Sequence, residues 1–224
     1  MPVKVNNMLE ILDVLPTEGD IGVEIEVEGE NLPEILSKSM WRVDVDNSLR
    51  GESREYVMPK PTSLDGVKIA LDYLEAQYKI HKSKVHDSIR TGVHVHRNVQ
   101  TLTMKQLLTF VVIYFILEDV LVHWCGKARE GNHFCLRSKD AEFILFALLK
   151  TIETRKLNNL NTDTIRYASV NMLSLFKYGS LEFRAMRGTA DLDSIYIWAK
   201  TIDEIYHSSL GYPDPREVVV SMSG

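Results

Sequence analysis

A chain of 224 residues and 25.6 kDa, 45% of it hydrophobic, is long enough to bury a full core and is most economically one domain. Its formal net charge of -5 and pI near 5.8 leave no basic footprint, which argues against a dedicated nucleic-acid binder. No basic-then-apolar leader opens the chain, and the longest apolar run, at 107–122, is interrupted by Glu118 and Asp119, so neither secretion nor a membrane span is expected.

Taken in chain order, residues 1–20 read as a lead-in with a short helix over 7–14, ended by Pro16 and Gly19. Strict alternation then predicts a strand over 21–28, with Val23, Ile25 and Val27 on one face and Glu24, Glu26 and a solvated Glu28 on the other. A short helix over 33–39 is expected next, followed by strands at 41–46 and 52–58 joined by a hairpin over 47–51. Ser63 caps a helix to about residue 82, whose apolar residues, among them Val67, Ala70, Leu71 and Leu74, fall at helical spacing. Gly92-Val-His-Val-His96 reads as a strand that buries Val93 and Val95, and Thr103 caps a helix through about residue 124 that is apolar nearly all round and belongs in the core. Residues 125–138 form a loop rich in Gly, Arg, Asn and His. The chain's two cysteines, Cys125 and Cys135, form no Cys-x-x-Cys arrangement, so a reducing, cytoplasmic setting is the expectation. A helix over 139–153 takes Phe143, Ile144, Phe146, Leu148 and Leu149 as core residues. A polar loop, strands at 165–171 and through 180–184, a helix over 192–208 and a peripheral tail from Gly211 complete the chain.

Three of these strands place two polar side chains two residues apart, and therefore on one face: Glu24/Glu26, His94/His96 and Glu182/Arg184. Carboxylates, imidazoles and a guanidinium on one sheet face describe a site for divalent cations and an anionic ligand. Three carboxylates repel one another in a partly buried cleft, so the folded site calls for neutralising cations. Oxygen donors with an imidazole suit Mg²⁺ or Mn²⁺ better than zinc. Because Mg²⁺ usually bridges carboxylates to substrate phosphates, a nucleoside triphosphate is the expected co-ligand. Each pair alone has a plainer reading, as the wet face of a strand or a cross-strand ion pair.

Beyond the pairs, an ordered set of short elements runs from about residue 20 to 190. It comprises Gly22-Val-Glu-Ile-Glu26, Trp41 with Asp46-Asn-Ser-Leu49, Glu55-Tyr-Val-Met-Pro59, Gly92-Val-His-Val-His96, Arg129 with Asn132-His-Phe-Cys135, Tyr167-Ala-Ser-Val-Asn171, and Gly179-Ser-Leu-Glu-Phe-Arg184 followed by Gly188-Thr189. In this order the set resembles the amidoligase family, bacterial and phage, of the glutamine synthetase and glutamate-cysteine ligase superfamily of carboxylate-amine ligases. The resemblance implies an α+β fold with a curved, mainly antiparallel sheet and helices packed on one face, like the glutamine synthetase catalytic domain. It also implies an ATP- and Mg²⁺-dependent ligase in which an amine attacks an acyl phosphate to form an amide.

Carried over residue by residue, Glu24, His94 and Glu182 resemble ligands of one ion, and Glu26 and Glu55 those of a second. His96 faces the ATP phosphates with Arg97 as a further candidate, and Arg184 stabilises the transferring phosphoryl group, making a catalytic pair with Glu182. Arg129 and Asn132 are candidates for gripping a substrate carboxylate, as are Asn171, Arg166 and Arg187; for Asp46 a turn-forming and a ligand-binding role stand level. The implied substrates are small-molecule or peptide carboxylates and amines, with a glutamine amidotransferase-like partner as one source of ammonia.

The expected organisation is a lead-in over 1–20, one catalytic domain over 21–210 and a tail over 211–224, with no nucleic-acid or membrane partner. Two rival functions use the same residues: a metal-dependent phosphotransferase or hydrolase on the same fold, and a catalytically silent scaffold or interaction protein. Retention of Glu24, Glu26, His94, Glu182 and Arg184 together counts against the scaffold, because buried charges are costly to keep without a use.

Overall fold

In a computed structural model that describes residues 4–10, 13–44, 49, 51–86, 88–133, 135–212 and 214–222, strand β1 (Ile21–Glu30) lies inside a mainly antiparallel sheet. The sheet order is β2 (Arg42–Asp44), β3 (Ser53–Val57), β1, β5 (Gly92–Asn98), β7 (Ser180–Arg187) and β6 (Val170–Asn171). A further strand, β4 (Lys84–His86), pairs with the far end of β1 beyond β5.

The alternation in β1 is realised residue for residue. Ile21, Val23, Ile25 and Val27 are fully buried, while the side chains between them stay partly open. Covering the buried face are α2 (Leu64–His81), α3 (Met104–Cys125) and α6 (Leu192–Ser209), which present residues such as Leu74, Phe110 and Trp198 to one core. Phe183 of β7 packs its ring against Phe110 at 5.4 Å and Tyr114 at 4.9 Å. The helix starts follow the expected caps: the Ser63 side chain accepts from Gly66 N–H, and Thr103 forms a reciprocal capping box with Gln106.

Despite Glu118 and Asp119, α3 is long and apolar enough by length and composition to cross a membrane, contrary to the sequence expectation. In this fold Leu107, Phe110, Val111, Tyr114 and Val122 bury much of it in the core.

Four further expectations are corrected. No helix forms over 33–39: Leu32 N–H donates to Glu52 and Ser37 N–H to the Tyr73 hydroxyl, so backbone donors go to distant side chains instead of a helical ladder. The strand expected at 165–171 begins instead as a 3-10 helix over Asp163–Tyr167, which buries Ile165; Ala168 makes an isolated bridge with Leu136, and only β6 is strand. The helix over 139–153 breaks at Ala141, and the remaining α4 (Glu142–Thr154) buries Ile144, Leu148 and Thr151. Its Phe143, Phe146 and Leu149 are exposed instead of lying in the core. At the two ends, α1 (Val5–Glu10) inserts Val5 and Leu9 into the core, and α7 (Pro215–Met222) inserts Val218 while packing on α3.

Candidate functional site

Opposite the helices, strand pairing brings the polar pairs into one cluster. Glu24 lies opposite His94, Glu26 opposite Glu55, and His96 opposite Glu182, which in turn faces Asn171. Side chains directly across an antiparallel pair share a face about 5 Å apart, so these residues form a connected patch across five strands.

His94 Nδ1 lies 3.3 Å from Glu24 Oε2 and 3.4 Å from Glu182 Oε1. His96 Nδ1 contacts Ser180 Oγ at 3.2 Å, while its Nε2 lies 3.3 Å from Glu24 Oε1 without completing an aligned hydrogen bond. Glu182 accepts from Asn171 Nδ2 at 2.6 Å and pairs with Arg184. Glu26 accepts from the Gly92 N–H at 2.9 Å. A Cβ at Gly92 would stand 3.3 Å from both His94 Nε2 and Arg129 Nη2, so glycine is what lets the strand approach this cluster.

A β-bulge sets the far side. Val95 pairs with Phe183 but Val93 pairs with Met186, so β7 carries one extra residue between them. Without it, alternation would place Met186 beside Glu182 and Arg184; with it, Met186 turns into the core. Arg129, nearly inaccessible, reaches this point from the 125–138 loop and donates to the carbonyls of Arg184 at 2.6 Å and Thr91 at 3.4 Å. It sits under the site and holds its backbone.

Burial acts to raise the Glu24 pKa, but contacts with His94 and His96 outweigh it and keep this carboxyl well below the usual carboxylate range. Glu182 is also held low: burial opposes ionisation, while the charges of Arg184, His94 and His96 favour it. His96 is pushed up, its burial outweighed by Glu24 and Glu182. The cluster thus stabilises anions and an imidazolium together, an arrangement that a divalent cation would replace. Glu24, His96 and Glu182 each offer a donor atom within 4.8 Å of the others. A mixed carboxylate and imidazole set fits Mg²⁺ or Mn²⁺.

Above the cluster opens a cleft of about 370 Å³, with Glu24, Glu55 and Glu182 among its acids and Arg42, Lys177 and Arg184 as its cations. Glu24, Arg42, Val57, His96 and Tyr178 also line a second, adjoining compartment, which Met58, Pro59 and Pro61 make largely apolar.

Of the residues expected at the site, Glu24, Glu26, Glu55, His94, His96, Asn171, Glu182 and Arg184 come together here. Arg97 does not. Strand parity puts it on the helix face, where it contacts Asp20 and Asp203 and stacks 3.7 Å from the Tyr206 ring centre, away from any nucleotide role at this cleft. Asn132 donates to the carbonyls of Ile89 and Ala128 and ties two loops together. Arg166 stacks on Tyr167, and Arg187 packs beside Gly126. Asp46 lies outside the described residues.

Sequence reasoning missed Arg42 and Asp44, which form a fourth pair at a spacing of two: Arg42 donates to Asp44 at 2.6 Å, and Asp44 lies opposite Glu55. The rule that found the other three pairs would have found this one. Lys177 and Tyr178, on the one-turn helix α5 (Leu175–Tyr178), gave no periodic signal.

No curated protein matches the chain. A protein-family model described as "Putative amidoligase enzyme" matches residues 53–206, a span that contains Glu55, His94, His96, Glu182 and Arg184, with Glu24 and Glu26 preceding it. As the match covers more than half of its length, the chain belongs to this amidoligase family.

Proposed function

We propose that this protein is an ATP- and Mg²⁺-dependent carboxylate-amine ligase that works through an acyl phosphate. The observation that carries the reading is the trio of Glu24, His96 and Glu182, whose donor atoms lie within 4.8 Å of one another on the wall of an open cleft. These three residues would hold one divalent ion together with His94, and Glu26 and Glu55 would hold a second. When bound, such ions neutralise phosphate charge and polarise the transferring phosphoryl group.

The chain's own residues supply position and charge. Arg184, oriented by Glu182 and by Arg129 beneath its carbonyl, stabilises charge on the transferring phosphoryl oxygens. Arg42 and Lys177, lining the same cleft, engage the outer phosphates, and the adjoining apolar compartment suits a planar base. A substrate carboxylate oxygen then bonds to the γ-phosphorus as the bond to the bridging oxygen breaks and ADP leaves. An amine attacks the acyl carbon, loses a proton and displaces orthophosphate, leaving an amide. Amino acids, peptides or a protein side chain fit as substrates, with ammonia from a glutamine amidotransferase-like partner as one amine.

The test is ADP release by purified protein with ATP and Mg²⁺ across a panel of carboxylates and amines, ammonium included. The ligase reading expects turnover that needs both partners. Turnover without any amine would replace it with a phosphotransferase or hydrolase; no nucleotide binding at all would favour a silent scaffold.

A further inference from the structure

We propose that α4 is a self-association surface, and that it pairs antiparallel with α4 of a second copy of this chain. Within its own chain α4 buries Ile144, Leu148 and Thr151. Its other sides expose Phe143 at 36%, Leu145 at 41%, Phe146 at 67%, Leu149 at 55% and Ile152 at 48%, and no other described helix leaves as many large apolar side chains open. A contiguous apolar face of this kind marks a contact surface.

The charges point to a second copy as the occupant. Around exposed Phe146, Phe143 and Leu149 stand three residues to either side and Glu142 and Lys150 four, along one exposed stripe. When a second α4 is laid antiparallel across it about a two-fold axis at Phe146, Phe146 meets its own copy, Phe143 meets Leu149, and Glu142 meets Lys150. A two-fold interface requires this self-complementarity, in which each residue's partner is also its partner's partner. Parallel pairing would set like charges together. Helix α4 carries Glu142 and Glu153 against one cation, Lys150, a net negative charge that disfavours an anionic lipid surface. Thirteen residues make a helix about 20 Å long, and one such pair falls short of the roughly 1,200–2,000 Å² of standard stable interfaces, so a dimer of micromolar affinity is expected.

Sedimentation equilibrium on the full chain tests this. Wild type is expected to dimerise at about 10–100 μM, and Phe146→Glu to be monomeric with unchanged circular dichroism and Tm, because the site is exposed. Glu142→Lys and Lys150→Glu should each weaken the dimer about tenfold or more, whereas an equimolar mixture of the two should recover it, since each reversed charge then meets its opposite. A wild type that stays monomeric at about 100 μM, a dimer that survives Phe146→Glu, or no recovery on mixing would overturn the proposal. Binding of a monomeric wild type to phosphatidylcholine and phosphatidylserine vesicles would assign the face to lipid instead.

Discussion

Arg97 and His96 are neighbours in β5, yet they point to opposite faces of the sheet and keep different company. Arg97 is almost inaccessible; it donates to the Asp20 carbonyl and carboxylate at 3.1 Å, lies 2.9 Å from Asp203 Oδ1 and is stacked on Tyr206. Its charge is closed within the fold. His96 stands among Glu24 and Glu182, its Nε2 3.3 Å from Glu24 Oε1, on the wall of an open cleft that Glu55 also lines. Charges enclosed among their partners serve the fold, whereas coupled charges that border an open cleft are placed where a ligand can reach them.

The comparison is most exposed to attack at Glu182 and Phe183, adjacent residues of β7 on opposite faces. Glu182→Gln and Glu24→Gln should each lower amide-forming turnover by about three orders of magnitude or more, with a modest fall in Tm at neutral pH, because the fold holds each carboxylate ionised against its cationic neighbours. A fall in Tm with turnover retained would make these carboxylates structural. Phe183→Ala, in contact with Phe110 and Tyr114, should cost about 3–5 kcal/mol in urea unfolding and leave nucleotide affinity of the folded fraction unchanged.

Arg97→Met isolates the closed network. Stability should fall by about 3 kcal/mol as Asp203 loses its guanidinium and keeps only the more distant His207, with nucleotide Kd within about twofold of wild type. A tenfold change in Kd would return Arg97 to the site. The smallest effect concerns Glu118, which α3 buries behind the sheet and which accepts from Ser138 N–H at 2.8 Å, Ser138 Oγ at 2.5 Å and Ser169 Oγ. Burial raises its pKa against these hydrogen bonds. The folded state therefore holds the proton more tightly than the unfolded chain, where the group titrates near ~4.3; its stabilising contribution is present below that pH and is lost as pH rises through the folded value. Glu118→Gln should flatten the decline in urea midpoint as pH rises above the unfolded value, and parallel curves for the two proteins would refute the assignment.

The polar face was largely legible because period-two alternation needs no tertiary information: Val23, Ile25, Val93 and Val95 declare the buried side, and the charged residues between them declare the other. What alternation could not give was closure. The bulge that turns Met186 inward depends on β5 pairing, and Arg129 read as a loop residue that grips a substrate carboxylate until the fold carried it beneath Arg184. Arg97 was misread because it follows a histidine motif in sequence while parity sends it to the other face. The exposed apolar face of α4 was read as core, since composition alone does not say which side of an apolar helix finds a partner.

The central claim is that the polar sheet face binds a divalent ion together with a nucleotide, and titration calorimetry with a non-hydrolysable ATP analogue tests it most directly. Run with and without Mn²⁺ on wild type and Glu182→Gln at a temperature where both are folded, it should show binding that needs the metal in wild type and is lost in the variant. Metal-independent binding, or equal affinity in both proteins, would contradict the assignment of this face.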